Sequence, residues 1–523
     1  MAAKFDHNDD SVVVIIGSGA GGATLANELA QKGISSVVLE AGKRLDISDF
    51  KNDDVAMFGL FTWLDPRTTS GSWSVAKTSP NLPIWICKLV GGTTVHWTGV
   101  SLRFQEHEFK TRTTYGDIKG ANLLDWPIGL KELEPYYEKA EHKMGVTGTN
   151  GLPHLPINNN GKVMYAGAKA IGYTKARQAP IAINSVPRDN RLSCQQTGFC
   201  SQGCTFGAKW STLYTEIPKA EDTGKAEFRA NCMVLQIEHD KRGHANGVVY
   251  MDPDGNMQRQ KARIVCVAGN SIESPRLLLN SASSMFPDGL ANSSGQVGKN
   301  YMRHTTGLVW GVFEKPVHMY RGTTISTFVQ DEAGYKPERG FAGGYLMELI
   351  SMNPPSLAGN IAPGHWGRDV ASMMDDFPNM AGMWIIGEDM AIESNRITLN
   401  TDVKDQYGLP VANVHADDHP NDNAMRAHGF QQGEALYRAV GATRVIQSPP
   451  APSTHNMGTN RMSAKPRDGV VNKHGQSHDV KNLFVSDGSQ FTSASTENPT
   501  LTIVALAIRQ ADYIAEQMRK GAI

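Results

Sequence analysis

The chain has 523 residues, of which 51 are basic and 52 acidic, giving a formal net charge of -1. This length exceeds what one compact core supports, and its 40% of hydrophobic residues is typical of a globular protein, so we expect two domains. The balanced charge gives no footprint for nucleic acid or an anionic membrane surface, and no apolar run approaches the roughly 18 residues of a membrane-spanning helix.

The first predicted unit lies within residues 11–44, SVVVIIGSGAGGATLANELAQKGISSVVLEAGKR. Residues 12–16 form an unbroken β-branched run, as expected for a buried parallel strand. A glycine-rich turn follows, then a helical pattern over residues 23–31 and a second strand over residues 36–39 that ends at Glu40. Strand, glycine turn, helix, strand and terminal acid together predict a dinucleotide-binding unit.

Each glycine of this unit has an expected physical role. Gly17 permits the tight turn, Gly19 lets the backbone approach a pyrophosphate, and Gly22 allows close helix packing. The phosphates would lie at the positive end of the helix, and Glu40 would accept hydrogen bonds from the adenosine ribose. A lone G-x-G-x-x-G is weak, and the alternative is a glycine-rich turn in a nucleotide-free sheet. Because strand, helix and acid all accompany it here, we predict a nucleotide site.

Half of the six cysteines, Cys194, Cys200 and Cys204, lie in SCQQTGFCSQGC, residues 193–204. A disulfide framework favours an even number of cysteines spread through a small secreted fold. Structural zinc usually takes four ligands, and this C-x5-C-x3-C stretch has no nearby histidine. Disulfide, zinc and inert thiols stay open as alternatives for this stretch. The other cysteines are in apolar, strand-like runs and are expected to be buried structural thiols: Cys87, Cys232 and Cys266.

Four further segments carry a resemblance to a known family. They are LVGGTTVHWTG (89–99), VCVAGNSIESPRLLLNS (265–281), HNMGTNRMS (455–463) and NLFVSDGSQFTSASTENPTLTIVALAIRQADYI (482–514). In this order they resemble the flavin loop, the cofactor-flanking strand and turn, the catalytic-histidine segment and the C-terminal signature of glucose-methanol-choline (GMC) oxidoreductases. These are FAD enzymes that oxidise alcohols, and the resemblance runs from residue 12 to about residue 514.

The resemblance implies an α/β, GMC-type fold built from two discontinuous parts. Residues 1–110, 225–310 and 455–523 would form a Rossmann-like FAD-binding domain. Residues 111–224 and 311–454 would form an α+β substrate-binding domain, with the cysteine loop at 193–205. Helical spacing over residues 125–146 opens that second part.

The resemblance also assigns FAD contacts along the chain. His96 stands where pyranose oxidase-like members present a histidine bonded to the 8α-methyl group of the flavin, so a covalent link is one hypothesis. The alternative is a histidine that only hydrogen-bonds beside the dimethylbenzene ring. The full set implied for FAD is Gly17, Gly19, Gly22, Glu40, Gly91, Gly92, Thr93, His96, Asp487 and Gly488.

Alcohol oxidation requires a base that takes the hydroxyl proton while hydride leaves carbon for the flavin. By resemblance His455 is that base, and the usual pKa of histidine suits reversible proton transfer at neutral pH. Asn498 matches the second position of the family's pair, where its amide would orient the hydroxyl. The alternatives are a structural histidine and a turn asparagine before Pro499. His304 resembles a histidine common near the domain junction of the family.

Some bacterial GMC sugar dehydrogenases carry a 3Fe-4S cluster on a C-x5-C-x3-C motif, and Cys194, Cys200 and Cys204 reproduce that spacing. A flavin accepts two electrons as hydride, whereas a cytochrome takes them singly, and an iron–sulfur cluster performs the conversion. Gly198 and Gly203 would let the loop fold around an inorganic core. The resemblance therefore favours a 3Fe-4S cluster over the disulfide, zinc and inert-thiol alternatives.

Within the family, the resemblance is to the bacterial FAD-dependent glucose dehydrogenase catalytic subunit and to glycoside 3-dehydrogenases. It implies the catalytic subunit of a sugar or glycoside dehydrogenase that oxidises carbon 3 of glucosides or carbon 1 of glucose, with carbon 3 favoured. The alternatives are an oxygen-using, pyranose oxidase-like enzyme and, in another class, a non-catalytic flavin electron-transfer module. No G-x-S-x-G or H-E-x-x-H motif supports hydrolysis. For the sugar site, Asn353, His365, Trp366 and Trp384 are candidates that no spacing distinguishes.

Relatives with this cluster associate with a small subunit that bears a twin-arginine export signal, and they pass electrons to a c-type cytochrome. The start of the chain, MAAKFDHNDD, lacks the pattern of a signal peptide. The resemblance thus implies a periplasmic protein exported together with its partner, and a cytoplasmic enzyme is the alternative. No nucleic acid and no transmembrane segment of its own are expected.

Overall fold

The computed structural model describes residues 4–63, 65–72, 85–362, 365–448 and 453–523. The helices are α1 Ala20–Gln31, α2 Asp54–Phe58, α3 Thr111–Tyr115, α4 Leu130–Met144, α5 Asn159–Ala170, α6 Glu216–Asp222, α7 Asn270–Asn280, α8 Pro354–Ile361, α9 Arg368–Asp375, α10 Pro420–Ala439 and α11 Thr500–Arg519. None of these helices has both the length and the apolar character needed to span a bilayer.

The strands are β1 Val13–Ile16, β2 Ser36–Leu39, β3 Thr62–Trp63, β4 Thr69–Gly71, β5 Trp85–Ile86, β6 Ala176–Gln178, β7 Ala226–Arg229, β8 Met233–His239, β9 Ala245–Met251, β10 Met257–Lys261, β11 Ile264–Val267, β12 Thr305–Val312, β13 Thr327–Val329, β14 Tyr345–Leu349, β15 Met380–Gly387, β16 Arg396–Lys404, β17 Pro410–Ala416, β18 Arg444–Ser448 and β19 Leu483–Val485. Two large sheets dominate, one parallel and one antiparallel.

The parallel sheet has the order β19-β11-β1-β2-β7 and carries the predicted dinucleotide-binding unit. Its central strand β1 is wholly buried and pairs in register with both neighbours, Val13 with Ile264 and with Ser36. Buried β-branched residues are typical of such a strand, whose two faces are both covered. The predicted strands and helix of residues 11–44 are confirmed.

Helix α1 begins three residues earlier than the apolar pattern predicts, because it runs through two glycines that pack on backbone. A Cβ atom at Gly21 would lie 1.6 Å from the carbonyl oxygen of Ser486, and one at Gly22 would lie 2.1 Å from that of Gly17. Only glycine allows the helix this close to the turn and to the end of β19. The packing of Gly22 matches its predicted role.

The second sheet has the order β18-β12-β15-β14-β13-β6 and is antiparallel throughout. One face packs on α5 and α10. Residues paired across an antiparallel sheet share a face, so Glu348 of β14 and its partner Trp384 of β15 point to the opposite side. That side contributes to the functional cavity described below.

The strands of the parallel sheet all fall in the sequence pieces predicted to bind FAD. The second sheet uses the intervening pieces, although β12 begins at Thr305, five residues before the predicted boundary at 310. A small sheet joins the pieces, since β4 pairs with β17 between Thr69 and Val414. These strand positions are consistent with a division into two domains, which stays a prediction.

Candidate active site

A deep cavity of about 520 Å³ extends from the glycine turn after β1 to the wall formed by the second sheet. Most residues predicted to contact FAD or substrate line it together. They are Gly17, Gly19, Glu40, Gly92, Thr93, His96, His455, Asp487, Gly488 and Asn498. Of the predicted set, Gly22 and Gly91 do not line the cavity and instead pack behind it.

Glu40 ties the glycine turn to the end of β2 at the nucleotide end of the cavity. Its Oε2 accepts hydrogen bonds from the backbone N–H of Ser18 at 3.0 Å and from Ser18 Oγ at 2.7 Å. Its Oε1 accepts from the N–H of Gly42 at 2.9 Å. Burial is the main cause that raises the pKa of this carboxyl. Oε1, which accepts one hydrogen bond, keeps a lone pair that a ribose hydroxyl could use.

The turn itself admits no side chain. A Cβ atom at Gly17, whose φ is +100°, would lie 2.4 Å from the carbonyl oxygen of Ala268. The N–H of Gly91 donates to Ser18 Oγ at 3.0 Å, which brings the flavin loop against this turn. The backbone is therefore bare where the predicted pyrophosphate would approach, as a dinucleotide requires.

Asp487 joins β19 to the start of α7 on the same side of the cavity. Its Oδ2 accepts from the N–H of Asn270 at 2.9 Å and from Ser274 Oγ at 2.5 Å, while Oδ1 accepts from the N–H of Ser489 at 2.8 Å. Burial raises the pKa of this carboxyl. These bonds hold the C-terminal signature segment against the parallel sheet.

His96 is a fully buried histidine in the wall of the cavity. Its Nδ1 lies 3.1 Å from the carbonyl oxygen of Ser201, and because a carbonyl only accepts, Nδ1 carries the proton. Its Nε2 is buried and has no hydrogen-bond partner among the described residues. Burial and the nearby Lys209 lower the pKa of this imidazole to about 3, so the ring is neutral at pH 7. The Nε2 lone pair thus has no donor in the described part of the chain.

His455 and His304 form a hydrogen-bonded pair at the opposite end. Their Nδ1 atoms are 3.0 Å apart, and His304 Nε2 lies 3.1 Å from the carbonyl oxygen of Ala494. The carbonyl fixes the proton of His304 on Nε2, so its Nδ1 accepts and His455 Nδ1 donates. Burial lowers both pKa values, that of His304 to about 4, and His304 further depresses that of His455. His455 Nε2 is therefore an unprotonated acceptor.

Asn498 lines the same cavity as His455. It is buried, and its Oδ1 has no hydrogen-bond partner among the described residues. The preceding backbone is held by Glu108, which accepts from the N–H and the Oγ1 of Thr496 at 2.7 and 2.8 Å, and Ser495 has a φ of +64°. The segment is fixed by buried hydrogen bonds, and an amide oxygen is left for a ligand.

The four sugar-site candidates separate in the structure. Trp384 lines the cavity, and its ring lies 5.9 Å from that of His455 at an angle of 34°. Asn353 instead lies beside Asp54 and Gly198, and Trp366 is 87% exposed. His365 is also exposed and does not line the cavity.

Family models of GMC oxidoreductases match residues 14–306 and residues 391–507, which include the glycine turn and the histidine pair. The chain belongs to the GMC oxidoreductase family. The predicted resemblance is confirmed, and this GMC protein is a flavin-dependent oxidoreductase that acts on hydroxyl groups. FAD is the cofactor that the family implies, and the cavity described above fits it.

Relatives of this GMC oxidoreductase span nearly its whole length. A 2-methyl-1,2-propanediol dehydrogenase of Mycolicibacterium austroafricanum is 33% identical and is matched over 97% of this chain and 96% of its own. The fructose dehydrogenase large subunit of Gluconobacter japonicus is 30% identical, over 97% and 98%. The paromamine 6'-oxidase of Streptomyces fradiae is 29% identical, over 97% and 92%.

The solved structure of a pyridoxine 4-oxidase from Mesorbium loti resembles the whole GMC chain, with a TM-score of 0.69. It is 14% identical and covers 97% of this chain and 99% of its own. At that identity the likeness concerns the fold alone. The predicted GMC-type fold is confirmed.

The three clustered thiols line a second, small cavity of the GMC chain. Cys194, Cys200 and Cys204 face it together with Lys209 and Thr323, and all three are free thiols. The turns at Gly198 and Gly203, with φ of +81° and +95°, allow this folding. Over the described ranges, no three histidine, cysteine or acidic side chains come close enough to hold a metal ion. The structure therefore gives no support to a disulfide, to a zinc site or to the predicted iron–sulfur cluster at this loop.

The thiol loop contacts the flavin side of the protein directly. Ser201, between Cys200 and Cys204, supplies the carbonyl that fixes the tautomer of His96 and also lines the main cavity. The other cysteines lie outside this loop. Cys232 and Cys266 are buried, as expected, with Cys266 within β11. The expectation was wrong for Cys87, which is only half-buried and lines the main cavity.

Lys209 is a functional-site residue that the sequence did not reveal. Its ammonium is buried beneath the loop and donates to the carbonyl oxygens of Val95 at 3.0 Å, Trp97 at 2.6 Å and Cys200. Burial lowers its pKa to about 8, and the neighbouring thiols Cys200 and Cys204 oppose that shift. A lysine that is fully buried without a carboxylate partner is rare, but no motif around it would have pointed to it.

Proposed function

We propose that this GMC oxidoreductase is the catalytic subunit of a sugar or glycoside dehydrogenase whose electrons leave through an iron–sulfur cluster. The observation that carries the proposal is the contact between the two cavities. The loop with Cys194, Cys200 and Cys204 reaches the flavin cavity through the bond from His96 to Ser201. An enzyme that reduces dioxygen has no need of three clustered thiols beside its flavin.

The histidine pair accounts for the proton chemistry of this proposal. His455 Nε2 takes the proton of the substrate hydroxyl, and the hydrogen bond to His304 holds the required tautomer. The emerging positive charge on His455 is shared with His304, whose own proton is held by the Ala494 carbonyl. Asn498 orients the hydroxyl, and the Trp384 ring gives an apolar surface on which a pyranose face could pack. FAD, when bound, accepts the hydride from the alcohol carbon.

The thiol loop supplies a donor set that fits a 3Fe-4S cluster. A single ion such as zinc draws its sulfur ligands to about 2.3 Å from one point, whereas a cluster spreads its cysteines around several irons. Three thiols that line one cavity beside the flavin side of the protein are the support for the second case. Cys194, Cys200 and Cys204 would hold the cluster. It would pass on, one at a time, the two electrons that leave the substrate as hydride.

A covalent bond between His96 and the flavin belongs to the same proposal. The free, neutral Nε2 of His96 in the cavity wall is the lone pair that such a bond needs, and Ser201 holds the ring in place. The test is to denature the purified protein in acid and pass it through a desalting column. Yellow colour that stays with the polypeptide, and is lost in His96→Ala, supports the bond. Colour that elutes as free flavin from the parent protein contradicts it.

The relatives named above support a polyol substrate and partner subunits. One of them oxidises a diol by name, and another is the large subunit of a fructose dehydrogenase. We extend this to a small subunit that carries an export signal, a c-type cytochrome as acceptor, and a periplasmic location reached by co-export. Oxidation at carbon 3 of a glucoside is our preferred chemistry. An oxygen-using oxidase is the second candidate, favoured by the similarity to a paromamine 6'-oxidase.

The decisive experiment uses the purified holoprotein. Under argon, a methyl glucoside should bleach the flavin, because its blocked anomeric carbon leaves carbon 3 open to oxidation. Cytochrome c or a one-electron dye should then re-oxidise the flavin much faster than air does, and the protein should contain iron and acid-labile sulfide. Rapid peroxide formation in air with no iron in the protein would favour the oxidase and overturn the proposal.

A further inference from the structure

Glu348 is a buried carboxyl that the mechanism above leaves unused. It lies in β14, its side chain is fully buried, and neither carboxylate oxygen has a hydrogen-bond partner within the described part of the chain. Burial without a partner is costly for a carboxyl group, and proteins keep such groups mainly where a ligand or a water completes them. Two neighbours of Glu348, Trp384 and Asn498, line the substrate cavity, and this favours the ligand.

The sheet register places Glu348 on the face of the second sheet that contributes Trp384 to the active site. It pairs with Phe328 on one side and with Trp384 on the other, so the three side chains form a row on one face of the second sheet. Trp384 lines the cavity, with its ring 5.9 Å from that of His455. The carboxyl of Glu348 is therefore the next side chain in the row after the indole that contacts the catalytic histidine.

Asn498 completes the connection. Burial raises the pKa of the Glu348 carboxyl, and a smaller effect, its interaction with the Asn498 amide, lowers it. The resulting pKa is about 8. Asn498 Oδ1 is itself without a donor among the described residues, and His455 Nε2 is an acceptor. The Glu348 carboxyl, which holds a proton at neutral pH, can donate one hydrogen bond and accept others, so a ligand with more than one O–H group can bond to all three side chains.

We propose that Glu348 binds the hydroxyl next to the one that His455 deprotonates, so that the enzyme selects vicinal diols. Because Glu348 adjoins Asn498, the second hydroxyl lies close to the first, and hydroxyls on adjacent carbons reach two neighbouring polar groups at once. Carbon 3 of a pyranoside, flanked by two hydroxyl-bearing carbons, meets this condition. The inference rests on the proposed function and specifies its substrate class.

The test compares two probes that differ by one hydroxyl, 1,2-propanediol and 1-propanol, in anaerobic stopped-flow reduction of the holoenzyme flavin. The parent enzyme should favour the diol, and Glu348→Leu should lower that preference by about 10- to 100-fold, the loss of one or two buried hydrogen bonds. Glu348→Gln keeps a hydrogen-bonding group of the same shape and should retain part of the preference. A methyl glucoside and its 2-deoxy analogue give a second matched pair.

Glu388→Gln is the matched control. Glu388 is also a fully buried acid at the end of a strand of the same sheet, but its carboxylate already accepts from the hydroxyl of Tyr115 at 2.7 Å. Its variant should leave the ratio of diol to mono-alcohol rates unchanged. An equal fall with both probes in Glu348→Leu, or an unchanged ratio, would show that Glu348 is only structural and would overturn the inference.

The outcomes also separate this inference from the proposed function. Flavin reduction by diols but not by sugars would refute the proposed sugar substrate and support the proposed role of Glu348. Reduction by sugars and mono-alcohols alike, with no preference for diols, would support the proposed sugar substrate and refute the proposed role of Glu348. If neither probe reduces the flavin, the thermal shift of the oxidised holoenzyme decides: 1,2-propanediol should stabilise the parent protein and not Glu348→Leu. Equal stabilisation of both would overturn the inference.

Discussion

His304 and His455 meet through their Nδ1 atoms at 3.0 Å, with ring planes 85° apart. Because His304 Nε2 donates to the Ala494 carbonyl, the proton between the rings belongs to His455. His304 adopts a left-handed φ of +63°, and its N–H donates to Asp389 Oδ1 at 3.0 Å. Asp389 and Ala494 hold His304 in this uncommon conformation, so His304 is well placed to fix the tautomer of His455.

Removing His304 should change the pH profile of flavin reduction. His304 lowers the pKa of His455, so His304→Ala should raise that pKa and move the acid limb of the profile, where the base becomes protonated, to higher pH. The maximal rate should fall about tenfold, the effect of one hydrogen bond. Stopped-flow reduction by sugar between pH 4 and pH 8 measures both changes.

Asparagine is the conservative variant at this position, because it tolerates a left-handed backbone and its Oδ1 can accept where His304 Nδ1 does. His304→Asn should recover most of the rate lost in His304→Ala. An acid limb at the parent position in His304→Ala would show that the residue is only structural.

Replacing His455 itself should separate catalysis from binding. His455→Ala should lower the rate of flavin reduction by about 10²–10⁴, the usual contribution of a positioned base. Sugar binding should weaken much less, since one hydrogen bond to a neutral group contributes about 0.5–1.5 kcal/mol. FAD content should not change, and His428→Ala is a control, because His428 contacts Tyr345 on the far face of the second sheet. Reduction at the parent rate would refute the assignment of the base.

The parts of the site that the sequence predicted are those with local patterns. The glycine turn and Glu40 could be identified within one strand–helix–strand unit, because each step of that unit has its own residue preference. The early start of α1 could not, since Gly21 is required by the Ser486 carbonyl, more than 460 residues away in the chain. Sequence pattern does not report such backbone contacts.

The partners of His455 are also set by tertiary structure. His304 is 151 residues distant in sequence, and the proton order of the pair depends on one carbonyl. Glu348 and Lys209 belong to residue types that are almost always exposed, so their burial is unexpected from type alone. For Glu348 a signal was present: a single acid inside the apolar strand YLMEL. Its meaning depended on which strand lay beside it.

Replacing one clustered cysteine should have the opposite effect to replacing His455. In Cys200→Ser, sugar should still bleach the flavin, because the Cys200 side chain lines the small cavity and not the flavin cavity. Iron content and electron transfer to a cytochrome should be lost. Stopped-flow absorbance with and without cytochrome c, together with iron analysis, measures both.

The control for this variant is Cys266→Ser, a buried thiol of β11 outside the loop. It should keep iron and electron transfer. Unchanged iron and cytochrome reduction in Cys200→Ser would contradict the assignment of the cluster to this loop.

The buried acids of the second sheet should make the protein less stable as pH rises. Burial raises the pKa of Glu388 to about 8, with smaller effects from Asp389 and Glu497, while an exposed glutamate has its pKa near 4.5. Between these values the folded state holds a proton that the unfolded state has released, so the free energy of unfolding falls with rising pH. One such group contributes at most about 1.4 kcal/mol per pH unit.

Glu388→Gln removes this proton and should flatten the dependence of the melting temperature on pH between pH 5 and pH 8. Glu516→Gln, at a fully exposed salt bridge to Lys520, should leave the slope as it is. Some slope should persist in Glu388→Gln, because burial also raises the pKa of Glu348 to about 8 and that of Asp389 to about 6. Differential scanning calorimetry of the holoproteins gives the slopes, and equal slopes for Glu388→Gln and the parent would mean that Glu388 is ionised in the folded state.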